Sequence, residues 1–217
     1  EAARGTFHEL DQMPDVRATF HGEGLVQAMA KDYVPNPIGE GKAMIGYVKP
    51  ALISASYCEM NRKLHHDNLA FGVGGGKHVK QVLALATAIK TTSILDYGCG
   101  KGYLAKEIPF PIWEYDPAVP GKSDSPRPAD LVVCTDVLEH IEPDRLPYVL
   151  QDLRRCVKQV GYFTIHTGPA QKTLPDGRNT HLIQRGQDWW SKRLHQFFLV
   201  GKIIKNAIDA YAGGDSD

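Results

Sequence analysis

An α/β fold around a doubly wound, mostly parallel sheet is predicted by three features of this sequence. Beyond about residue 90, short apolar runs alternate with amphipathic helical stretches, as strands joined by crossover helices do. The first of those runs ends in a cluster of glycines, Gly98, Gly100 and Gly102, where ligand-binding sheets of this kind turn from strand to helix. The chain has 217 residues, 42% of them hydrophobic, enough to bury one core without disulfides or a structural metal.

The elements follow in order. Residues 1–89 read as an irregular extension and lid carrying helices, and residues 90–217 as the core, with a Pro/Gly-rich stretch over residues 35–46. Helices are expected over 50–64 and 77–89, the second with Val79, Val82, Leu83, Ala86 and Ile89 on one face. Between them lies a flexible loop, Phe71 to Lys77, rich in glycine. Strands are expected over 93–97, 112–115, 130–134 and 161–165, with a helix over 101–108 after the first. Asp144 reads as an N-cap and Pro147 falls in the first turn of a helix that buries Leu146, Val149, Leu150, Leu153 and Val157. A last helix over 187–198 places Trp190, Leu194 and Phe197 on one side. The small, acidic tail over 213–217 is expected to fray.

Charge and composition exclude several classes. Lys+Arg and Asp+Glu both number 25, for a net charge of zero, which argues against non-specific duplex binding driven by positive charge. No run approaches the roughly 18 apolar residues of a membrane span, so no membrane partner is expected, and no signal segment opens the chain. Glu1 rather than Met at the start suits a processed or partial chain. Cys58, Cys99, Cys134 and Cys156 form no CxxC pair, so reduced thiols in a cytoplasmic protein are expected.

The run Asp96-Tyr-Gly98-Cys99-Gly100-Lys-Gly102 selects among nucleotide-binding loops. Tyr103 stands where a dinucleotide fingerprint needs its last glycine, and the four-residue spacer of a P-loop is missing. What remains, D-x-G-x-G-x-G after an apolar strand, resembles motif I of the class I S-adenosylmethionine-dependent methyltransferases, which have a Rossmann-like fold. The resemblance implies that Asp96, Gly98, Cys99, Gly100 and Gly102 line the donor. Asp116, at the end of the second strand, is placed to accept hydrogen bonds from vicinal ribose hydroxyls, with Glu114 as the lesser candidate. The stretch from Ala129 to Ile141 resembles the fourth-strand motif of the same superfamily, which implies that Thr135 and Asp136 face the donor. The likeness covers roughly residues 90–198. One departure matters: the 12 residues between Asp116 and Ala129 leave no room for the usual helix and third strand. The sheet should be reduced there, with the adenine meeting backbone and apolar groups, or Asp124.

The Asp136-x-x-Glu139-His140 pattern, followed by His181, is similar to that of two metal-dependent O-methyltransferase families, the ubiquinone-pathway catechol enzymes and those that modify the 3′ ends of small RNAs. The resemblance implies that Asp136, Glu139, His140 and His181 act as catalytic residues and hold Mg²⁺, Mn²⁺, Fe²⁺ or Zn²⁺, a mixed N/O donor set. Glu139 and His140 supporting the turn after the strand is the alternative. Metal-free N-methylation and an inactive donor-binding partner domain are the other readings of the whole chain. The acceptor is expected to be a small molecule, sugar or nucleotide, with an RNA end left open and the oligomeric state unaddressed. The loop over 74–78 is placed to fold over the donor's methionine portion. Residues 168–184 and the extension before Lys77 are expected to roof the acceptor. His65 and His66 (as an exposed helix end), Arg178, Trp189 and Trp190 are weaker candidates.

Overall fold

The computed structural model describes residues 51–68 and 71–204, together with the backbone of an N-terminal strand, 24–30; over 199–204 the description is likewise of the backbone. The Pro/Gly-rich stretch, the start of the helix expected from residue 50 and the acidic tail lie outside the described residues.

Four parallel strands form the centre: β2 (Ile94–Tyr97), β3 (Trp113–Tyr115), β4 (Ala129–Thr135) and β5 (Val157–Ile165). The sheet order is β3-β2-β4-β5-β1-β6, with β1 (Gly24–Ala30) antiparallel to both β5 and β6 (Phe198–Ile204). The middle of β4, Leu131 to Cys134, is buried on both faces, which is why its sequence there is a continuous apolar run. Val132 and Cys134 pack with Leu150, Leu153, Trp190 and Leu194 from helices α4 (Leu146–Cys156) and α5 (Gln187–Leu194). Leu131 and Val133 face the other layer, with Val82 and Leu85 of α2 (Val79–Ala88) and Leu104 of α3 (Tyr103–Glu107). β3 is the edge, and residues 117–128 form no strand, so the sheet is reduced where the short connection requires. Among the described residues, no helix is long and apolar enough to cross a membrane, and all four thiols are free.

Several boundaries differ from the sequence reading. The first helix, α1 (Ala55–Asp67), starts at the Ser54 cap, whose hydroxyl accepts from the Tyr57 N–H at 3.2 Å. His65 therefore lies in its last turn. A 3₁₀ turn (Gly74–His78) precedes α2. Asp144 is not the cap of α4; Arg145 holds that position without a side-chain cap bond. The helix expected to run to Phe198 stops at Leu194, and Phe198 begins β6. β1 and β6 are strands that the apolar pattern did not reveal.

Candidate functional site

A cavity of about 570 Å³ opens at the carboxyl ends of the parallel strands, the ligand-binding edge of such sheets. Asp96 to Gly100 enter from β2, Tyr115 to Ala118 from β3, Thr135 to Val137 from β4 and His166 from β5. Residues of α1, the Phe71–Gly75 loop and the 169–172 and 180–181 stretches complete the wall. Both segments expected to roof the acceptor thus border the cavity.

The glycine loop is packed tightly against the extension. Gly100 has φ +50°, and a Cβ there would stand 2.8 Å from the Gly72 carbonyl oxygen. Only glycine combines that left-handed backbone with so close an approach. The Lys101 N–H donates to the same carbonyl at 3.0 Å, and the Lys101 ammonium donates to the Asn68 carbonyl at 2.7 Å. Gly98 and Cys99 also line the cavity, but Gly102 does not. At φ +73° Gly102 begins α3, and any Cβ there would strike the Glu114–Lys122 ion pair. Its role is conformational, and Glu114 is engaged by Lys122 at 2.9 Å instead of facing a ligand.

Asp116 is buried at the cavity wall. Its Oδ2 accepts the Gly100 N–H at 3.1 Å and its Oδ1 the Ala118 N–H at 2.9 Å. A carboxylate has about four lone-pair sites, so these two bonds orient it and leave capacity for two hydroxyls. His65 Nε2 lies 4.0 Å from Asp116 Oδ2, burial holds the His65 pKa below its usual value, and its buried Nδ1 has no hydrogen-bond partner. Asp96 is buried at the cavity wall. Burial, reinforced by Glu114, pushes its carboxyl up to about 7. Asp124 is exposed and outside the cavity wall; Pro117 and Ala118 border the space beside the short edge strand.

At the other end of the cavity, a 3₁₀ turn (Leu138–His140) follows β4. It brings Glu139 and His140 to His181, with one ligand atom from each within 4.8 Å of the others. His140 Nδ1 lies 2.8 Å from the Thr180 carbonyl, and His181 Nδ1 lies 2.7 Å from the Gly168 carbonyl. A carbonyl only accepts, so both rings are Nδ1–H tautomers with Nε2 lone pairs available. Such second contacts are what orient metal-binding histidines. Glu139 is fully buried; its Oε1 accepts the His166 N–H at 3.0 Å and its Oε2 has no partner. Burial, with Asp136 nearby, pushes this carboxyl up to about 8. Burial and then His181 push His140 down to about 4, and burial also lowers His181. An orphaned buried carboxylate oxygen facing two pre-oriented imidazoles fits a divalent cation.

Asp136 is not part of this group. Its Oδ1 accepts from the Thr164 hydroxyl at 2.8 Å and its Oδ2 pairs with the Lys77 ammonium at 2.9 Å. Three of the four residues expected to hold a metal therefore converge, while the carboxylate of the fourth is engaged by Thr164 and Lys77. α1 runs alongside both ends of the cavity: Tyr57 donates its hydroxyl to the His140 carbonyl at 2.7 Å, and Ser54 donates N–H and O–H to the Glu142 carboxylate. Arg178 stacks over Tyr57 with its guanidinium 5.9 Å from the ring centre and pairs with Asp176. Trp190 is core, and half-buried Trp189 packs against Arg193 away from the cavity. Sequence reasoning missed Tyr57 and His166, undervalued His65, and named Lys77 only as part of the loop expected over the donor's methionine portion. Tyr57, Asn61 and His65 recur every fourth residue along α1 and all line the cavity; that spacing was the available signal. His166 had none.

A doubly wound sheet with a glycine loop, a buried carboxylate on the neighbouring strand and a cavity across their ends defines a protein that binds a nucleoside-containing ligand. The chain belongs to the methyltransferase domain family, which matches residues 74–208, and is a class I S-adenosylmethionine-dependent methyltransferase. Comparison with curated proteins and with solved structures finds no match.

Proposed function

We propose that the protein transfers the donor methyl group to a hydroxyl oxygen of an acceptor seated beside Glu139, His140 and His181, with a divalent cation held by these three. The observation that carries this reading is the unpartnered, buried Oε2 of Glu139 next to two histidines tied through Nδ1 to backbone carbonyls. Two nitrogens and a carboxylate suit Mn²⁺, Fe²⁺ or Zn²⁺ better than Mg²⁺. When bound, such an ion lowers the pKa of a coordinated hydroxyl and fixes its position.

The chain's own part is placement. The donor sulfonium is already activated, so the protein must align sulfur, methyl and acceptor and exclude water. Asp116 takes the donor's ribose hydroxyls, the Gly98–Gly100 backbone lets the nucleoside approach, and Thr135 and Asp136 border its far end. The α1 wall and the 169–172 stretch enclose the acceptor. Neighbouring hydroxyls on a catechol-like ring, sugar or nucleotide match this placement.

The test is methyl transfer from labelled donor to catechol, a free sugar and a ribonucleoside, with Mn²⁺ added against a chelator. Transfer should vanish on chelation and return with Mn²⁺. Glu139→Gln and His181→Ala should lose Mn²⁺ binding and transfer while keeping affinity for S-adenosylhomocysteine. Undiminished transfer under exhaustive chelation would reject the metal and favour metal-free N-methylation.

A further inference from the structure

We propose that a second cavity, behind the stretch that carries His181, binds a small amphipathic anion: an apolar body ending in a carboxylate or a phosphate monoester. The inference rests on neither the donor nor the metal.

This cavity holds about 410 Å³, within the roughly 300–1,000 Å³ of small-molecule sites. Its floor is apolar: Leu146 and Leu150 of α4 and Ile183 are buried core residues, and half-buried Phe197 packs beside them. Its rim carries the exposed side chains of Gln184, Arg185, Arg193 and Gln196, and no carboxylate lines it. In a chain of zero net charge, two guanidinium groups over an apolar floor are a local excess. Among the described residues neither has an acidic partner. The Arg193 guanidinium lies over the Trp189 ring, 5.0 Å from its centre, which holds its planar fork ready for an oxyanion. A neutral apolar ligand would leave both cations unanswered, and a bare inorganic anion would leave the floor wet. A ligand with both parts satisfies floor and rim together.

The site is separate from the cavity at the strand ends, and the two share no lining residue. Two stretches of chain divide them. Thr180 and His181 border the first cavity, and Leu182 to Arg185 the second. Likewise Ile141 and Glu142 border the first, and Pro143, Leu146 and Pro147 the second. The partition is tied by hydrogen bonds. The Ile183 N–H donates to the Glu139 carbonyl at 2.9 Å, and Gln184 Nε2 donates to the His181 carbonyl at 3.1 Å. The anion therefore rests against the backbone that positions Glu139 and His181.

Calorimetry on the whole chain with octanoate, octyl phosphate, octanol and octylammonium tests the proposal. At least one of the two anions should bind one to one and more tightly than octanol by roughly tenfold or more, the scale of a charge-assisted contact. The tighter of the two identifies the headgroup, and octylammonium should not bind. Arg185→Met and Arg193→Met should each weaken the anion by roughly tenfold and leave octanol within about twofold. Gln196→Glu, an exposed change of the same shape, should weaken it by repulsion. Saturating S-adenosylhomocysteine should not displace the anion, and bound anion should slow hydrogen exchange at the Ile183 amide. Failure of both anions to bind, equal affinity for anion and octanol, displacement by S-adenosylhomocysteine, or unchanged affinity in both arginine variants would overturn the proposal. So would self-association that Gln196→Glu abolishes without any anion binding, which would give this face to a second copy of the chain.

Discussion

Replacing Asp116 perturbs two functions at once, and they can be measured apart. In Asp116→Ala the N–H groups of Gly100 and Ala118 lose their acceptors at 3.1 and 2.9 Å. Hydrogen bonds to a charged group contribute roughly 1.5–3 kcal/mol each. Water entering the cavity replaces part of that, so a net stability loss of roughly 1–3 kcal/mol is expected. Asp116→Asn keeps the shape and one acceptor oxygen, but its NH₂ cannot accept from the second N–H. It should cost less stability than alanine and still impair ligand binding, because the amide offers fewer lone pairs to the ribose. The affinity readout is calorimetry with adenosine against 2′,3′-dideoxyadenosine, alongside urea denaturation. The wild type should prefer adenosine by roughly tenfold or more, the worth of a lost hydrogen bond to a charged acceptor, and Asp116→Asn should lose most of that preference. An asparagine variant that still discriminates the vicinal hydroxyls as the wild type does would refute the assignment of Asp116 to the ribose.

Three further perturbations have defined outcomes. Gly100→Ala forces a side chain into φ +50° and onto the Gly72 backbone at 2.8 Å; the backbone alone costs roughly 1–2 kcal/mol, so both the urea midpoint and S-adenosylhomocysteine affinity should fall. Asp96, raised to about 7 in the fold, stays protonated there while the unfolded chain ionises near its ordinary value. Its stabilising contribution is thus fully present below about pH 4 and lost as pH rises through 7; the downward slope of stability between pH 5 and 7 should flatten in Asp96→Asn. Asp152, with a side chain 1% exposed, accepts from the Tyr97 hydroxyl at 3.2 Å and from two Arg155 nitrogens. Breaking a wholly buried pair costs roughly 3–5 kcal/mol; Arg155 is 41% exposed, so Asp152→Ala should cost somewhat less, read as a lower thermal midpoint.

The parallel core was legible because its central strands β2 and β4 are buried on both faces and their sequences say so directly: Leu131 to Cys134 packs into both layers. The glycine loop and Asp116 were legible because their spacing is local. β6 was not, since the apolar residues from Trp190 through Ile204 fit a helix and a strand equally well, and periodicity alone cannot divide such a run. β1 gains its place by pairing Gly24–Met29 with Val160–Ile165, partners more than a hundred residues away. Gly102 was expected on the donor wall and lies off it; the Glu114–Lys122 pair that crowds it is remote in sequence. The same holds for Asp136. Its position after β4 was visible, but the Thr164 and Lys77 contacts that turn it from Glu139 and the histidines were not. The wall built by α1 was partly written in the spacing of Tyr57, Asn61 and His65, although its docking depends on Glu142 and the His140 carbonyl.

The central claim is that one cavity holds a methyl donor against a cation-binding trio. Anomalous diffraction from crystals grown with S-adenosylhomocysteine and Mn²⁺ tests it most directly. The predicted result is the ligand's ribose on Asp116 and an anomalous peak bonded to His140 Nε2, His181 Nε2 and the Glu139 carboxylate. Bound S-adenosylhomocysteine with no peak at those three side chains, at a Mn²⁺ concentration that sustains activity, would contradict it.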